Sequence, residues 1–361
     1  MVHASAEIKT GQLFNEAIAL LKRLIATPSF SKEEQGTAGI INDFFLSKNI
    51  AVSRKNNNIW VYNKHFDQLK PSILLNSHHD TVKPNPGYTR DPFLPKVEEG
   101  KLYGLGSNDA GASLVALIAA FLSFYERTDL KFNILFAATA EEEISGENGI
   151  FSILPELPIL EFAIVGEPTQ LQMAISEKGL MVIDCYARGK AGHAARNEGE
   201  NAIYKALKDI EWIKNYQYPK VSETLGPVKM SVTLIKSGTQ HNVVPALCEF
   251  TIDVRTTDAY TNEEVYKIIK QHISSEAKAR SMRLQPSSVG SDLLLVKTAG
   301  ELGIKTYGSP TLSDQALIDS PSIKIGPGDS ARSHMADEYI ELQEIKEGIE
   351  LYRKVIEKIS L

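Results

Sequence analysis

The order of apolar strands and helices along this 361-residue chain predicts an α/β fold built on a mixed sheet, interrupted near its middle by an inserted α+β module. Three observations predict it. Short apolar runs (SILLNS, FNILFAAT, EFAIV) alternate with helix-length segments. Each run ends in a cluster of acids or histidines, as expected where ligands gather at the carboxyl ends of strands. From about residue 175 to 288 the pattern changes to half-exposed alternation and amphipathic helices, and then reverts.

Taken in order, NEAIALLKRLIAT has helical apolar spacing and leads into the turn PSFS. Ser31 stands three residues before Glu34, a capping-box spacing that opens a second helix through GTAGIINDFFLSKN. IAVSRK, NIWVYNK and SILLNSHHD read as strands, and ASLVALIAAFLSFYER as a buried helix. FNILFAATAEEE and EFAIVGEPT repeat one design, a buried strand that stops at carboxylates. In the insertion, GLMVIDCYARG, NAIYKALKDIEWIKN, KMSVTLIKSG, ALCEFTIDVRT, NEEVYKIIKQHISSEAKA and SMRLQPSSV read as strand, helix, strand, strand, helix, strand. That is the order of a ferredoxin-like split βαβ unit. The tail resumes short α/β elements and closes on the helix LQEIKEGIELYRKVIEKIS. The expected division is residues 1–174 and 289–361 as one discontinuous domain, with 175–288 inserted.

Composition narrows the classes. The length exceeds the roughly 250–300 residues at which a single core stops growing, so two domains are expected. A net charge of -6 gives no electrostatic case for nucleic acid or an anionic membrane surface. The N-terminal segment lacks the basic flank and apolar core of a signal peptide, and no run approaches the ~18 apolar residues of a membrane span. Cys185 and Cys248 lie far apart and outside any CxxC pattern, which argues against a disulfide framework. The expected location is the cytoplasm.

Five clusters carry possible chemistry: SHHDTV at 77–82, GLGSNDAGA at 104–112, TAEEE at 139–143, VGEPT at 165–169 and SHMADEY at 333–339. Histidine with carboxylate oxygen is the ligand mix that suits zinc and related divalent ions. Along a strand, His78 and Asp80 share one face and His79 takes the other, so a carboxylate can orient the ring of a metal-binding histidine. Alone, each cluster reads more readily as a solvated or capping group than as a ligand set. Together, four of them at apolar strand ends or beside glycine turns point to a metal site.

In their order, NSHHDTV, GLGSNDAGA, TAEEEISG, VGEPT, GKAGHAA, NVVPALCEFTIDVR and SHMADEY resemble the zinc aminoacylase family of deacetylases, desuccinylases and carboxypeptidases. The resemblance covers essentially the whole chain and leans towards acetylornithine deacetylase, with acetylcitrulline deacetylase and succinyl-diaminopimelate desuccinylase as relatives. It implies a di-zinc hydrolase domain carrying an inserted lid and dimerisation domain. His78 and Glu167 would hold one ion, Glu143 and His334 the other, and Asp109 would bridge them. Asp80 would support His78, and Glu142 would act as general base, although three consecutive glutamates leave that register open. His193 would reach a neighbouring subunit's site and stabilise the oxyanion; on its own it reads equally as a surface residue. Asn242 and Arg255 would bind the substrate carboxylate, and Gly326 and Gly328 would let backbone amides approach the substrate closely. One departure is Ala-Gly-Ala after Asp109, where the family frequently has Met-Lys-Gly.

The implied reaction is two-metal hydrolysis of an N-acyl amino acid, N-acylornithine or N-acylcitrulline in arginine biosynthesis, by a homodimer joined through residues 175–288 and carrying two zinc or cobalt ions per chain. A di- or aminopeptidase with the same centre is the nearest alternative, and a catalytically inactive binding homologue the next. The motifs do not separate acetyl from succinyl substrates. His3, His65, His241 and His272 read as surface or loop residues, and the two cysteines as core.

Overall fold

In a computed structural model that describes residues 2–360, with side chains from residue 11 onward, the chain divides into two compact units. His3 falls outside the described side chains. One unit is Met1–Ile175, Val289–Tyr307 and Ser313–Leu361; the other is Ser176–Ser288 with Gly308–Leu312. The short return at 308–312, which sequence reading leaves with the first unit, packs into the second: the Ser309 carbonyl accepts from the Lys178 amide at 3.1 Å, and Gly308 lies so close to the Thr224 carbonyl that a Cβ would meet it at 2.3 Å.

The first unit is a mixed sheet. Seven of its nine strands run Ser53–Lys55, Asn58–Tyr62, Asn133–Thr139, Ser72–His78, Leu160–Val165, Ser322–Lys324 and Met173–Glu177 in spatial order, and the short strands Ser287–Ser288 and Thr306–Ser309 both pair with the last of these. The middle four are mutually parallel, and the flanking ones antiparallel. Ser72–His78 and Asn133–Thr139 are buried at every position, which is why they read as unbroken apolar or small-residue runs. Helix Ala112–Phe124 packs against Val2–Ile25 and Leu342–Ser360. By length and composition the stretch Ser107–Phe124 qualifies as a membrane span, contrary to the sequence expectation of none. It is 83% buried within the protein, which makes it a core helix.

The predicted capping box does not form. Helix Gln35–Leu46 starts without a side-chain cap; Ser31 Oγ donates instead to Asp80 Oδ2 (2.7 Å), and Glu34 is fully buried. Long-range polar demand overrides the local motif.

The second unit is an antiparallel sheet in the order Lys229–Ser237, Leu247–Thr256, Gly179–Arg188, Glu276–Ala279, with helices Ala202–Asn215 and Asn262–His272. This is the split βαβ order expected of the insertion. Its last strand, however, comes earlier than SMRLQPSSV. The predicted long helix stops at His272, because the Asp209 carboxylate accepts from the Ser274 and Ser275 amides (3.0 and 2.9 Å) and redirects the chain. Both cysteines are free and buried in this unit.

Candidate active site

Three parallel strand ends deliver the first side chains. His78 closes its strand opposite Thr139, and the chain beyond Thr139 and Val165 supplies Glu142, Glu143 and Glu167. His78 is 1% exposed, and its Nδ1 donates to the Asp80 carbonyl at 2.9 Å. A carbonyl only accepts, so Nδ1 carries a proton and Nε2 is the nitrogen left to the cavity side. There it faces Asp109 Oδ1 at 3.3 Å, Glu167 Oε1 at 3.8 Å and Glu142 Oε2 at 3.9 Å. Burial disfavours imidazolium, yet Glu142, Asp109, Asp80 and Glu167 outweigh it and hold the ring well above the usual histidine range.

Asp80 touches more of the site than the His78 ring. Its carboxylate lies 3.4 Å from His78 Nδ1, while Oδ1 accepts from the Glu142 amide (3.0 Å) and Oδ2 from the Glu143 amide (3.2 Å) and Ser31. It therefore fixes the glutamate turn as much as the ring. Glu34 accepts from the Glu141 amide at 3.2 Å. Glu141 itself turns away and caps Asn148. That leaves Glu142 beside His78 and Glu143 beside His334.

Asp109 lies between two groups. Its Oδ1 faces His78 and its Oδ2 faces His334 Nε2 at 3.8 Å, and His334 Nε2 lies 3.0 Å from Glu143 Oε2. Among the described residues, two sets converge with ligand atoms within 4.8 Å: His78, Asp109, Glu167 and Asp109, Glu143, His334. Glu142 belongs to neither. Imidazole and carboxylate in sets of three around a shared aspartate fit a pair of divalent cations. The electrostatics fit as well. Burial and neighbouring carboxylates push Glu142 well above the ordinary range, and burial with Asp109 pushes Glu167 up to about 8. The hydrogen bond to Glu143 lifts His334 to about 9.

Sequence reasoning missed two buried acids. Asp314 accepts from Thr139 Oγ1 at 2.7 Å, and burial raises it to about 6. Glu338 accepts three backbone N–H groups, from Gly106 (3.0 Å), Asn108 (2.8 Å) and Asp109 (2.9 Å); burial and the Asp109 charge push it up to about 8 against their pull. Its signal was its place four residues after His334 in SHMADEY. Ala-Gly-Ala after Asp109 is explained locally: the three residues are buried, and a Cβ on Gly111 would meet the Gly106 carbonyl at 2.3 Å.

Gly326 departs from its expected role. Its amide donates to Thr169 Oγ1 (2.9 Å), and a Cβ there would strike Ser113, Glu167 and Tyr352, so the glycine is required by packing. Gly328, at φ +89, abuts Asn108. In the second unit, His193 and Asn242 lie at a two-stranded antiparallel ribbon formed by Gly192–His193 and Val243–Val244, the Ala194 amide donating to the Asn242 carbonyl at 2.9 Å, and both are exposed. Arg255 Nε and Nη2 donate to Asp253 at 2.8 and 3.0 Å, so one edge of its fork is already engaged. His65, His241 and His272 are exposed.

The family model described as Peptidase family M20/M25/M40 matches residues 74–358. The chain is 29% identical over 370 residues to an acetylornithine deacetylase of Shigella sonnei, covering 94% of this chain and 96% of that one. It is 23% identical over 374 residues to a succinyl-diaminopimelate desuccinylase of Cereibacter sphaeroides, covering 94% and 98%. A dinuclear metal binding peptidase from Bacillus subtilis superposes with a TM-score of 0.70 at 17% identity, covering 96% of this chain and 98% of that one.

Proposed function

The chain belongs to peptidase family M20/M25/M40, and from that premise we propose that it is a two-metal amidohydrolase that removes an acetyl or succinyl group from an N-acyl amino acid, with N-acylornithine and N-acylcitrulline as first candidates. The observation that carries the reading is Asp109, shared between two His/carboxylate sets, with Glu142 beside them but in neither. A ligand-binding homologue has no need of that extra carboxylate.

His78, Asp109 and Glu167 would hold one divalent cation, zinc or cobalt, and Asp109, Glu143 and His334 the other. When bound, the pair supplies Lewis-acid polarisation of the amide carbonyl and acidifies the attacking water. Glu142 takes that water's proton on a carboxylate oxygen and delivers it to the departing nitrogen, so one residue serves as base and then acid. Asp80 keeps Glu142 in place through its backbone amide. In this reading His193 donates to the developing oxyanion, and Asn242 with Arg255 bind the substrate's carboxylate.

We assign the homodimer interface to the second unit. Its edge strand Lys229–Ser237 leaves Leu234 and Ile235 62% and 57% exposed, and the neighbouring helix leaves Tyr204 67% exposed. A cytoplasmic location accords with the two unpaired cysteines. The deciding experiment is a hydrolysis panel of N-acetyl and N-succinyl ornithine, citrulline and glutamate beside dipeptides. Release of free amino acid from the acyl compounds supports the reading. Cleavage of dipeptides alone replaces it with the peptidase alternative.

A further inference from the structure

Glu338 is a buried carboxylate that belongs to neither metal-binding set, and the reaction as described does not use it. It is 2% exposed. Oε1 accepts from the Asn108 and Asp109 amides at 2.8 and 2.9 Å, and Oε2 accepts from the Gly106 amide at 3.0 Å. The Glu338 carbonyl also accepts from the Gly104 amide at 3.0 Å. One residue thus binds the backbone of the Gly104–Asp109 loop four times. These amides precede helix Ala112–Phe124, where the chain has no partners of its own for them, and no side chain of the loop caps them.

The same segment carries His334. Between the two, Asp337 accepts from the Thr89 and Arg90 amides, both at 2.9 Å, and Tyr339–Glu341 pairs with Lys101–Tyr103. The segment that presents one ligand therefore also sets the backbone of another.

We propose that Glu338 is a positioning residue for the metal pair: it holds the backbone of Asp109 so that the shared carboxylate is placed before any cation arrives. The proposal rests on the two-metal reading above. A carboxyl group suits this task because its two oxygens between them accept all three amides, and when ionised it is acceptor-only. Glutamine would turn an N–H donor towards a backbone N–H and lose at least one of the three contacts. Aspartate keeps the charge and both acceptors on a stem one methylene shorter. Since Asp109 belongs to both sets, loosening it weakens both.

The test compares wild type, Glu338→Gln and Glu338→Asp, each stripped of metal and titrated with Co²⁺ while the visible spectrum is recorded. Wild type taking up two ions is the control for the metal reading, and its failure there counts against that reading. With the control met, Glu338→Gln is expected to bind both ions about 10–100-fold more weakly with an altered cobalt spectrum, and Glu338→Asp to recover part of the loss. Wild-type affinity and spectrum in folded Glu338→Gln overturn the proposal, even if that variant melts earlier, because a purely structural role changes stability alone. Should Glu338→Gln fail to fold, amide exchange in metal-free wild type decides. Protected Gly106, Asn108 and Asp109 amides support a loop set in advance, and rapid exchange at all three overturns it.

Discussion

The two halves of the site use the same donors on different scaffolds. His78 is 1% exposed at the end of a strand hydrogen-bonded on both sides, with Nδ1 locked to a carbonyl. His334, with a side chain 54% exposed, sits on a loop at φ +61, and the Glu143 carboxylate is its one close side-chain partner within the two sets. Burying charge is costly and is met by rigid, hydrogen-bonded neighbours, so the enclosed half is set by the fold itself. The open half is set by loop contacts at its rim, where a substrate can reach it. The difference teaches that one shared carboxylate, Asp109, joins a rigid half to an adjustable one.

Removing that join should have the largest effect. Asp109→Ala is expected to lose both ions and to reduce turnover by on the order of 10³ or more, since each ion contributes several kcal/mol to the transition state. Elemental analysis checks it. Full loading in the variant would break the comparison at its centre, because the halves would then be independent.

Next comes the carboxylate proposed as base. Glu142→Gln should keep both ions and lose on the order of 10²–10⁴ in turnover. Glu143→Gln should lose the open-half ion as well. Metal loss in the first variant with retention in the second would move the glutamate register by one residue.

These two variants also show how far the sequence could be read. The strand ends and their acids were legible because a buried parallel strand is an unbroken run and its last residues are polar. Choosing among Glu141, Glu142 and Glu143 was not possible from spacing alone. It depends on Glu34 and Asp80 gripping the turn from 107 and 62 residues away. Ser31 and Glu34 had the right spacing for a cap, yet both are drawn into that network, so local grammar failed where the site needed their oxygens. The strand Glu276–Ala279 hid inside a helical pattern for a similar reason, since Asp209 ends the helix from 65 residues off. Glu338 carries no signal beyond its place in SHMADEY: its partners are backbone amides, which leave no trace in side-chain patterning.

A smaller effect separates the halves directly. His78→Ala should destabilise the metal-free fold by roughly 1–3 kcal/mol, as it removes a buried hydrogen-bonded ring. His334→Ala should stay within about 0.5 kcal/mol, as expected for an exposed residue. In wild type, a chelator titration should release one ion ahead of the other, and His334→Ala should abolish only the early phase. Simultaneous release, or equal melting shifts for the two alanines, would remove the distinction between enclosed and open.

The smallest effect sharpens it most, because it deletes one supporting hydrogen bond from each half and leaves every ligand in place. Ser77 Oγ donates to the Gly166 carbonyl at 2.8 Å, inside the core, one residue before Glu167. Asn85 Nδ2 donates to the His334 carbonyl at 2.9 Å, at the surface. Ser77→Ala strands a buried acceptor, so its cost should appear as stability, about 1–3 kcal/mol in a urea titration. Asn85→Ala hands its carbonyl to water, so stability should change by less than about 0.5 kcal/mol. The effect on metal should run the other way. A rigid strand end keeps Glu167 near its place without Ser77, so the enclosed-half ion should be held almost as tightly in whatever fraction is folded. The His334 loop has fewer alternative restraints, so Asn85→Ala should bring the early chelation phase forward while leaving the late phase untouched. Should Ser77→Ala instead loosen the late ion without lowering stability, the enclosed half would be as adjustable as the open one. The rigidity assigned to it would then belong to its burial alone.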